Sequence, residues 1–347
     1  MLVSVSLFSA RAAQGEKFRN TEIEYRNPPG KILDMVKAYV RAERAAPVPE
    51  QPLPLRFIPA AELADASGVA TVYRLGHSSV LMRLDGQYVL TDPVFSERAS
   101  PVQWMGPKRF HPLPFELEAL PQIATVVISH DHYDHLDKAS VLALDHKVGR
   151  YVAPLGVGNH LRRWGIAADK ITELDWWQSV SVDGLQFTAT PAQHFSGRGL
   201  TDRDETLWAG WAIESRDARI FFSGDSGYFG GFREIGERLG PFDLTLIETG
   251  AYNRLWSQIH MLPEESVQAH IDLRGEVMLP IHNSTFDLAL HDWYEPLERA
   301  AIAAERQGVR LVTPIIGAPL QVNAPNETEA WWRDAVVSGE VQLATDL

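Results

Sequence analysis

The run His130-Asp131-His132-Tyr133-Asp134-His135 constrains this chain more than any other stretch of it. It follows directly on Val126-Val127-Ile128-Ser129, an apolar segment short enough to be one strand. An apolar strand that runs into imidazoles and carboxylates does not read as core, because burying such groups unpaired costs on the order of several kcal/mol each. A bound cation removes the conflict. Alternate residues of an extended segment point the same way, so His130 and His132 share a face. The turn after them can aim Asp134 and His135 at a neighbouring point. That arrangement offers ligands to two metals side by side rather than four ligands to one.

Three further apolar strands end in the same manner. Thr188-Ala189-Thr190-Pro191-Ala192-Gln193 leads to His194, Ile220-Phe221-Phe222-Ser223-Gly224 to Asp225, and Val277-Met278-Leu279-Pro280-Ile281 to His282. Each delivers one ligand-type residue to a C-terminal strand edge, where loops can converge on a common cleft. Between them the chain alternates short strands and helices. Strands are expected at 72–75, 80–84, 88–91, 151–153, 186–190, 208–214, 220–223, 244–248 and 277–281, and Asp85-Gly86 is a hairpin signal. Helices are expected at 138–144, 156–164, 232–239 and 296–307, with another opened by Pro263-Glu264-Glu265. Two comparable halves of this texture predict an α/β (α+β) fold in which two packed mixed sheets carry helices outside.

Residues 1–60 read as an N-terminal arm and 61–347 as the catalytic domain. The arm holds an amphipathic helix, with Ile32, Met35, Val36, Tyr39 and Val40 on one stripe. Pro47, Pro49, Pro52 and Pro54 follow it as a stiff linker. Packing of that stripe on the body is the default expectation. A lipid-facing or dimer-facing role is the sharper one. The stretch Leu2–Phe8 with Ala10-Arg11-Ala12 resembles the remnant of a signal peptide, although no basic residue precedes it. The expected location is cytoplasmic or peripheral to a membrane, or periplasmic if that remnant is genuine.

Composition enters as a set of exclusions. With no cysteine in 347 residues, any metal must be held by nitrogen and oxygen. A net charge of −13 argues against a nucleic-acid partner, which needs a cationic footprint. It also makes any membrane contact apolar rather than electrostatic.

The metal motif, taken with the phrases around it, resembles the metallo-β-lactamase superfamily, and within it the N-acyl-phosphatidylethanolamine-hydrolysing phospholipase D family. The likeness runs from about Leu75 to Glu295. It includes Gly76-His77, Thr91-Asp92-Pro93-Val94-Phe95-Ser96, Gly106-Pro107-Lys108-Arg109-Phe110, Glu173-Leu174-Asp175-Trp176-Trp177 and Gly240-Pro241-Phe242-Asp243. The resemblance implies an αββα sandwich with a dinuclear centre along one edge. It places His130, His132 and His194 on one metal and Asp134, His135 and His282 on the other, with Asp225 bridging. Imidazole and carboxylate suit two zinc ions and do not exclude manganese or iron. Asp134, Asp225 and His260 are the expected catalytic residues, His260 giving a substrate contact or a proton to the leaving group. Tyr252 is a candidate for the cleft wall. Lys108, Arg109 and His77 are expected to be structural.

The implied reaction is phospholipase D-type hydrolysis of a phosphodiester, giving N-acylethanolamine and phosphatidic acid. The alternative is a lactonase, esterase or phosphodiesterase acting on a small soluble substrate such as a sugar phosphate. An apolar groove beside the site would favour the lipid, and a small cationic pocket the sugar phosphate. A retired, non-catalytic member would lack ligands, and none is missing. The substrate partner is thus a phospholipid or a small phosphoester. Peripheral membrane contact is expected through the arm helix and Trp104, Trp256, Trp331 and Trp332, and the resemblance adds a homodimer.

Overall fold

Strand residues in both halves are apolar on their two faces because each sheet is covered twice. In the computed structural model, which describes residues 17–25, 29–64 and 68–336, the strands form two seven-stranded sheets. The leader-like stretch and the side chains of Ile32 and Val36 lie outside the described residues.

The first sheet contains β1 (Thr71–Gly76), β2 (Ser79–Leu84), β3 (Gln87–Thr91), β4 (Ile123–Val127), β5 (Val148–Pro154) and β6 (Ile171–Leu174), in that spatial order. The second runs from β7 (Ser179–Val182) through β8 (Leu185–Thr190), β9 (Gly210–Glu214), β10 (Arg219–Phe222), β11 (Phe242–Glu248) and β12 (Gly275–Ile281) to β13 (Arg310–Leu311). The late strand β14 (Pro319–Gln321) returns to the first sheet and pairs antiparallel with β1. In each sheet one half of the pairings is antiparallel and the other parallel.

Period-two alternation sorts the side chains. Val72, Val80, Met82, Val89 and Val127 face inward and meet Phe187, Trp211, Ile213, Phe222, Leu246 and Leu279 in the core between the sheets. Tyr73, Leu81, Leu90 and Val126 face outward under α2 (Ala60–Ala64), α3 (Lys138–Leu144) and α4 (Gly158–Arg163), where Leu63, Val141 and Leu161 cover them. On the other side Phe221, Phe242, Ile247 and Met278 lie under α5 (Gly231–Leu239), α6 (Pro263–Asp272) and α7 (Glu295–Gln307). The architecture is an αββα sandwich. Asp137, the acid that closes the histidine-rich segment, caps α3 by accepting from Ala139 N and Ser140 N.

Ahead of the sandwich, α1 (Pro29–Arg41) and its flanks run along one edge. Arg44 pairs with Asp287 at 2.5 Å, Ala46 N donates to Asp292 at 2.8 Å, and Leu55 bridges to Ile316. Met35 packs beside Tyr25 and Trp256, whereas Leu33 and Val40 are exposed. Trp256, Trp331 and Trp332 are buried and only Trp104 of the four tryptophans presents its ring to solvent. No helix among the described residues is long and apolar enough to cross a membrane.

Candidate metal centre

Strands β1, β3, β4, β8, β10, β11 and β12 all end at the same rim of the sandwich. They lead into His77, Asp92, His130, His194, Asp225, Glu248 and His282 respectively. Sheets of this kind gather polar groups at the carboxyl ends of their strands, since backbone pairing stops there and side chains can converge. The turns are tight. His77, Asp92 and His282 adopt positive φ (51°, 32° and 63°), a conformation that costs about 1–3 kcal/mol each for residues other than glycine. Gly224, just ahead of Asp225, has φ 57°, and a Cβ there would sit 2.6 Å from Cβ of Ser129.

Two groups of ligand atoms result. His130 Nε2 lies 2.9 Å from His132 Nδ1, and His194 Nε2 lies 3.2 Å from the same atom. Next to this trio, His282 Nε2 is 3.3 Å and His135 Nε2 3.5 Å from Asp134 Oδ2. Asp225 Oδ2 faces both sets. It is 3.0 Å from His282 Nε2 and 3.1 Å from His135 Nε2, and 3.9 Å from both His130 Nε2 and His194 Nε2. All seven residues named from the sequence therefore come together, in two groups that Asp225 faces.

The donor set fits a cation. His194 Nδ1 meets the carbonyl of Ile259 at 2.9 Å, and a carbonyl only accepts, so the proton sits on Nδ1 and Nε2 presents a lone pair. His135 Nδ1 is tied in the same way to Asp92 Oδ2 at 2.7 Å. His135 Nε2, His282 Nε2 and Asp225 Oδ1 are buried without a well-formed hydrogen bond. Buried nitrogens and oxygens left in this state are what a metal completes.

Electrostatics point the same way. Burial holds His130 and His194 well below the usual histidine pKa, which keeps both rings neutral. Burial works against charge on His282 as well, but Asp225 and Asp134 outweigh it and carry the ring to about 10. His135 is raised by the same two carboxylates against the same burial. Burial alone would raise Asp134 and Asp225, yet the neighbouring histidines, His135 first, hold both well below the carboxylate range. The site is built to collect positive charge.

Several residues support these ligands, and of them only His77 was expected in a structural role. Asp92 accepts from Ser129 N at 2.7 Å and Ser129 Oγ at 2.5 Å in addition to His135, and Ser129 Oγ meets His130 Nδ1 at 2.9 Å. One carboxylate thus orients a histidine of each group. His77 is held near 3 by burial and by His282, so it is neutral and donates from Nε2 to Asp134 Oδ2 at 3.1 Å. Glu248 is fully buried, accepts from Ser226 N at 2.9 Å, and forms a short hydrogen bond with His260 Nδ1. Burial, then the charge of Asp225, raises Glu248 well above the usual carboxylate range, while burial lowers His260 to about 4. Strand-end position is the signal that could have found Asp92 and Glu248.

The centre opens into a cavity of about 250 Å³ whose walls include Tyr25, Met35, Tyr39, Phe195, Trp256 and Leu288, together with His260. Tyr252 is not part of that wall. Its ring stacks on His291 at 4.5 Å and its hydroxyl donates to Glu295 at 2.7 Å, because the turn at Ala251 directs it away into the protein. Lys108 pairs with Glu97 at 2.8 Å on the surface, and Arg109 is spent on the carbonyls of Val94 and Ser96.

Residues 87–283 match the β-lactamase superfamily domain, which covers more than half of the chain. An uncharacterised protein of Mycobacterium tuberculosis (strain ATCC 25618 / H37Rv) is 48% identical over 299 residues, 84% of this chain and 79% of that one. N-acyl-phosphatidylethanolamine-hydrolysing phospholipase D 1 of Caenorhabditis elegans is 38% identical over 260 residues, 71% of this chain and 73% of the relative. Among solved structures, the metallo hydrolase Igni18 of Ignicoccus hospitalis superposes with a TM-score of 0.57 at 21% identity, covering 73% of this chain and 98% of that chain. The sandwich, the rim of histidines and carboxylates and these likenesses agree, and the chain belongs to the β-lactamase superfamily of metal-dependent hydrolases, where it resembles the N-acyl-phosphatidylethanolamine-hydrolysing phospholipases D.

Proposed function

We propose that this protein is a dinuclear zinc phosphodiesterase that hydrolyses N-acyl-phosphatidylethanolamine-like lipids to N-acylethanolamine and phosphatidic acid. The observation that carries the reading is a cavity in which Asp225, whose Oδ2 faces both ligand groups, shares the lining with apolar Met35, Phe195, Trp256 and Leu288. Among the described residues no lysine or arginine lines that cavity, which favours an acyl-bearing substrate over a small anionic sugar phosphate. The likeness to the worm phospholipase D supports the same choice.

His130, His132 and His194 would hold one ion and Asp134, His135 and His282 the other, with Asp225 between them. Such a pair of cations lowers the pKa of water toward about 7 and offsets charge on a phosphoryl oxygen. The protein's own groups do the rest. His77 and Asp92 fix the orientation of Asp134 and His135. Glu248 occupies Nδ1 of His260, which leaves Nε2 for the cavity, where it meets a phosphoryl oxygen or hands a proton to the departing alcohol. Water oxygen ends on phosphorus, and the P–O bond to the N-acylethanolamine breaks. Helix α1 lines the cavity with Met35 and Tyr39, and its exposed Leu33 and Val40 offer the apolar, peripheral contact with lipid that a chain of this charge requires.

The test is hydrolysis of N-acyl-phosphatidylethanolamine in mixed micelles by the zinc-loaded protein, with products read by mass spectrometry. N-acylethanolamine should appear, and Asp225→Asn or Asp134→Asn should retain less than about a tenth of the rate. Cleavage of a simple phosphodiester or lactone with no release from the lipid would keep the metal chemistry and overturn the substrate.

A further inference from the structure

Residues 17–25 lie ahead of both the sandwich and the segment that matches the superfamily domain, yet they touch the centre. Asn20 is placed against the backbone of His194, 174 residues away. Its Nδ2 donates to His194 O at 2.9 Å and its Oδ1 accepts from His194 N at 2.9 Å. The same Oδ1 accepts from Trp208 Nε1 at 3.0 Å.

Residues 191–209 have no regular secondary structure, so no ladder partner is available for His194. That residue is fully buried, and its backbone N–H and C=O need partners inside the protein. The side-chain amide of Asn20 supplies both, as a neighbouring strand would. With Ile259 O holding Nδ1, His194 is fixed at its backbone by Asn20 and at its ring by a second loop.

The segment carrying Asn20 is itself anchored. Phe18 N donates to Asp204 O at 2.9 Å, and Lys17 Nζ to Arg203 O at 2.6 Å. The Arg203 guanidinium lies over the rings of Phe195 (4.6 Å) and Tyr25 (5.5 Å), and Phe195 in turn packs on His132 at 4.5 Å. The arm therefore bears on two of the three histidines in one group.

We propose that Asn20 is a positioning residue of the metal centre, its amide clamping the backbone of His194 so that the arm sets the affinity of the His130, His132 and His194 group for its metal. The proposal rests on the reading of those histidines as ligands. A histidine displaced by a fraction of an ångström loses the alignment of its lone pair, and removal of such supporting contacts weakens metal binding about 10–100-fold.

The experiment is zinc stoichiometry and competition against a chromophoric chelator, on the full chain, for the parent, Asn20→Ala, Asn20→Asp and His194→Ala. Asn20→Ala should weaken one of two zinc ions about 10–100-fold and leave the other unchanged. Asn20→Asp keeps an acceptor for His194 N and Trp208 Nε1, and should fall between Asn20→Ala and the parent. Thermal unfolding of the zinc-free proteins should be similar for parent and Asn20→Asp, which separates a loosened site from a loosened fold. Parental affinity in both Asn20 variants, while His194→Ala loses a zinc, overturns the role of Asn20 alone. No zinc lost in His194→Ala overturns the ligand assignment and this proposal with it.

Discussion

A ring that must lose a proton before it can bind a metal makes that binding depend on pH, and the two ligand groups differ in this respect. His282 is carried to about 10 by Asp225 and Asp134 in spite of burial, and His135 is raised by the same carboxylates. Without metal, both rings hold their protons at neutral pH. In that form the shift stabilises the fold fully below about 6.5, and the contribution fades as pH rises through about 10. A metal must displace these protons, so zinc affinity of the group with Asp134 should increase with pH until it levels off at about 10. His130 and His194 are already neutral and should add little slope. Zinc titrations at stepped pH resolve the two behaviours, and a flat profile for both sites would contradict the assignment. Much of this chemistry is legible in the sequence, because His130, His132, Asp134 and His135 are consecutive or nearly so. Asn20 was not, since its role exists only through contacts with His194 that the chain order hides.

Among the elements, the strands with two buried faces were the readable ones. β1 to β5 and β8 to β12 carry near-continuous apolar runs, which only a doubly covered sheet produces. β6, β7, β13 and β14 were missed because they are sheet edges or next to one, short and half-exposed, and Ser179-Val180-Ser181-Val182 has too little apolar character to stand out. The coupling between sheets is carried in part by one side chain. Trp211 of β9 is fully buried and donates from Nε1 across the sandwich to Ile128 O at 3.0 Å, two residues before His130. Trp211→Phe would leave that carbonyl without its partner and open a small void, at a cost of about 2–4 kcal/mol. Urea unfolding of the zinc-free protein should report the loss, and a midpoint equal to that of the parent would show that the sheets do not depend on this link.

At the level of the whole molecule, the candidate ligands come from both sheets, and a metal bound among them ties one sheet to the other. Ligands that bind only the native state stabilise it by mass action, about 2.7 kcal/mol per site at a free concentration a hundred times Kd. Dialysis against a chelator should therefore lower Tm by several degrees, and zinc should restore it. Calorimetry that finds the same Tm before and after metal removal would argue against a bridging centre. The order in which the strands reach the rim also has a meaning for biosynthesis. His130 to His135, His194 and Asp225 are translated first, whereas His282 comes later and β14, which closes the edge of the first sheet beside β1, later still. A nascent chain that has just passed Asp225 owns a complete three-histidine group and only part of the other. Completion of both groups consequently waits for His282, and a message truncated before it yields a product with only the three-histidine group whole.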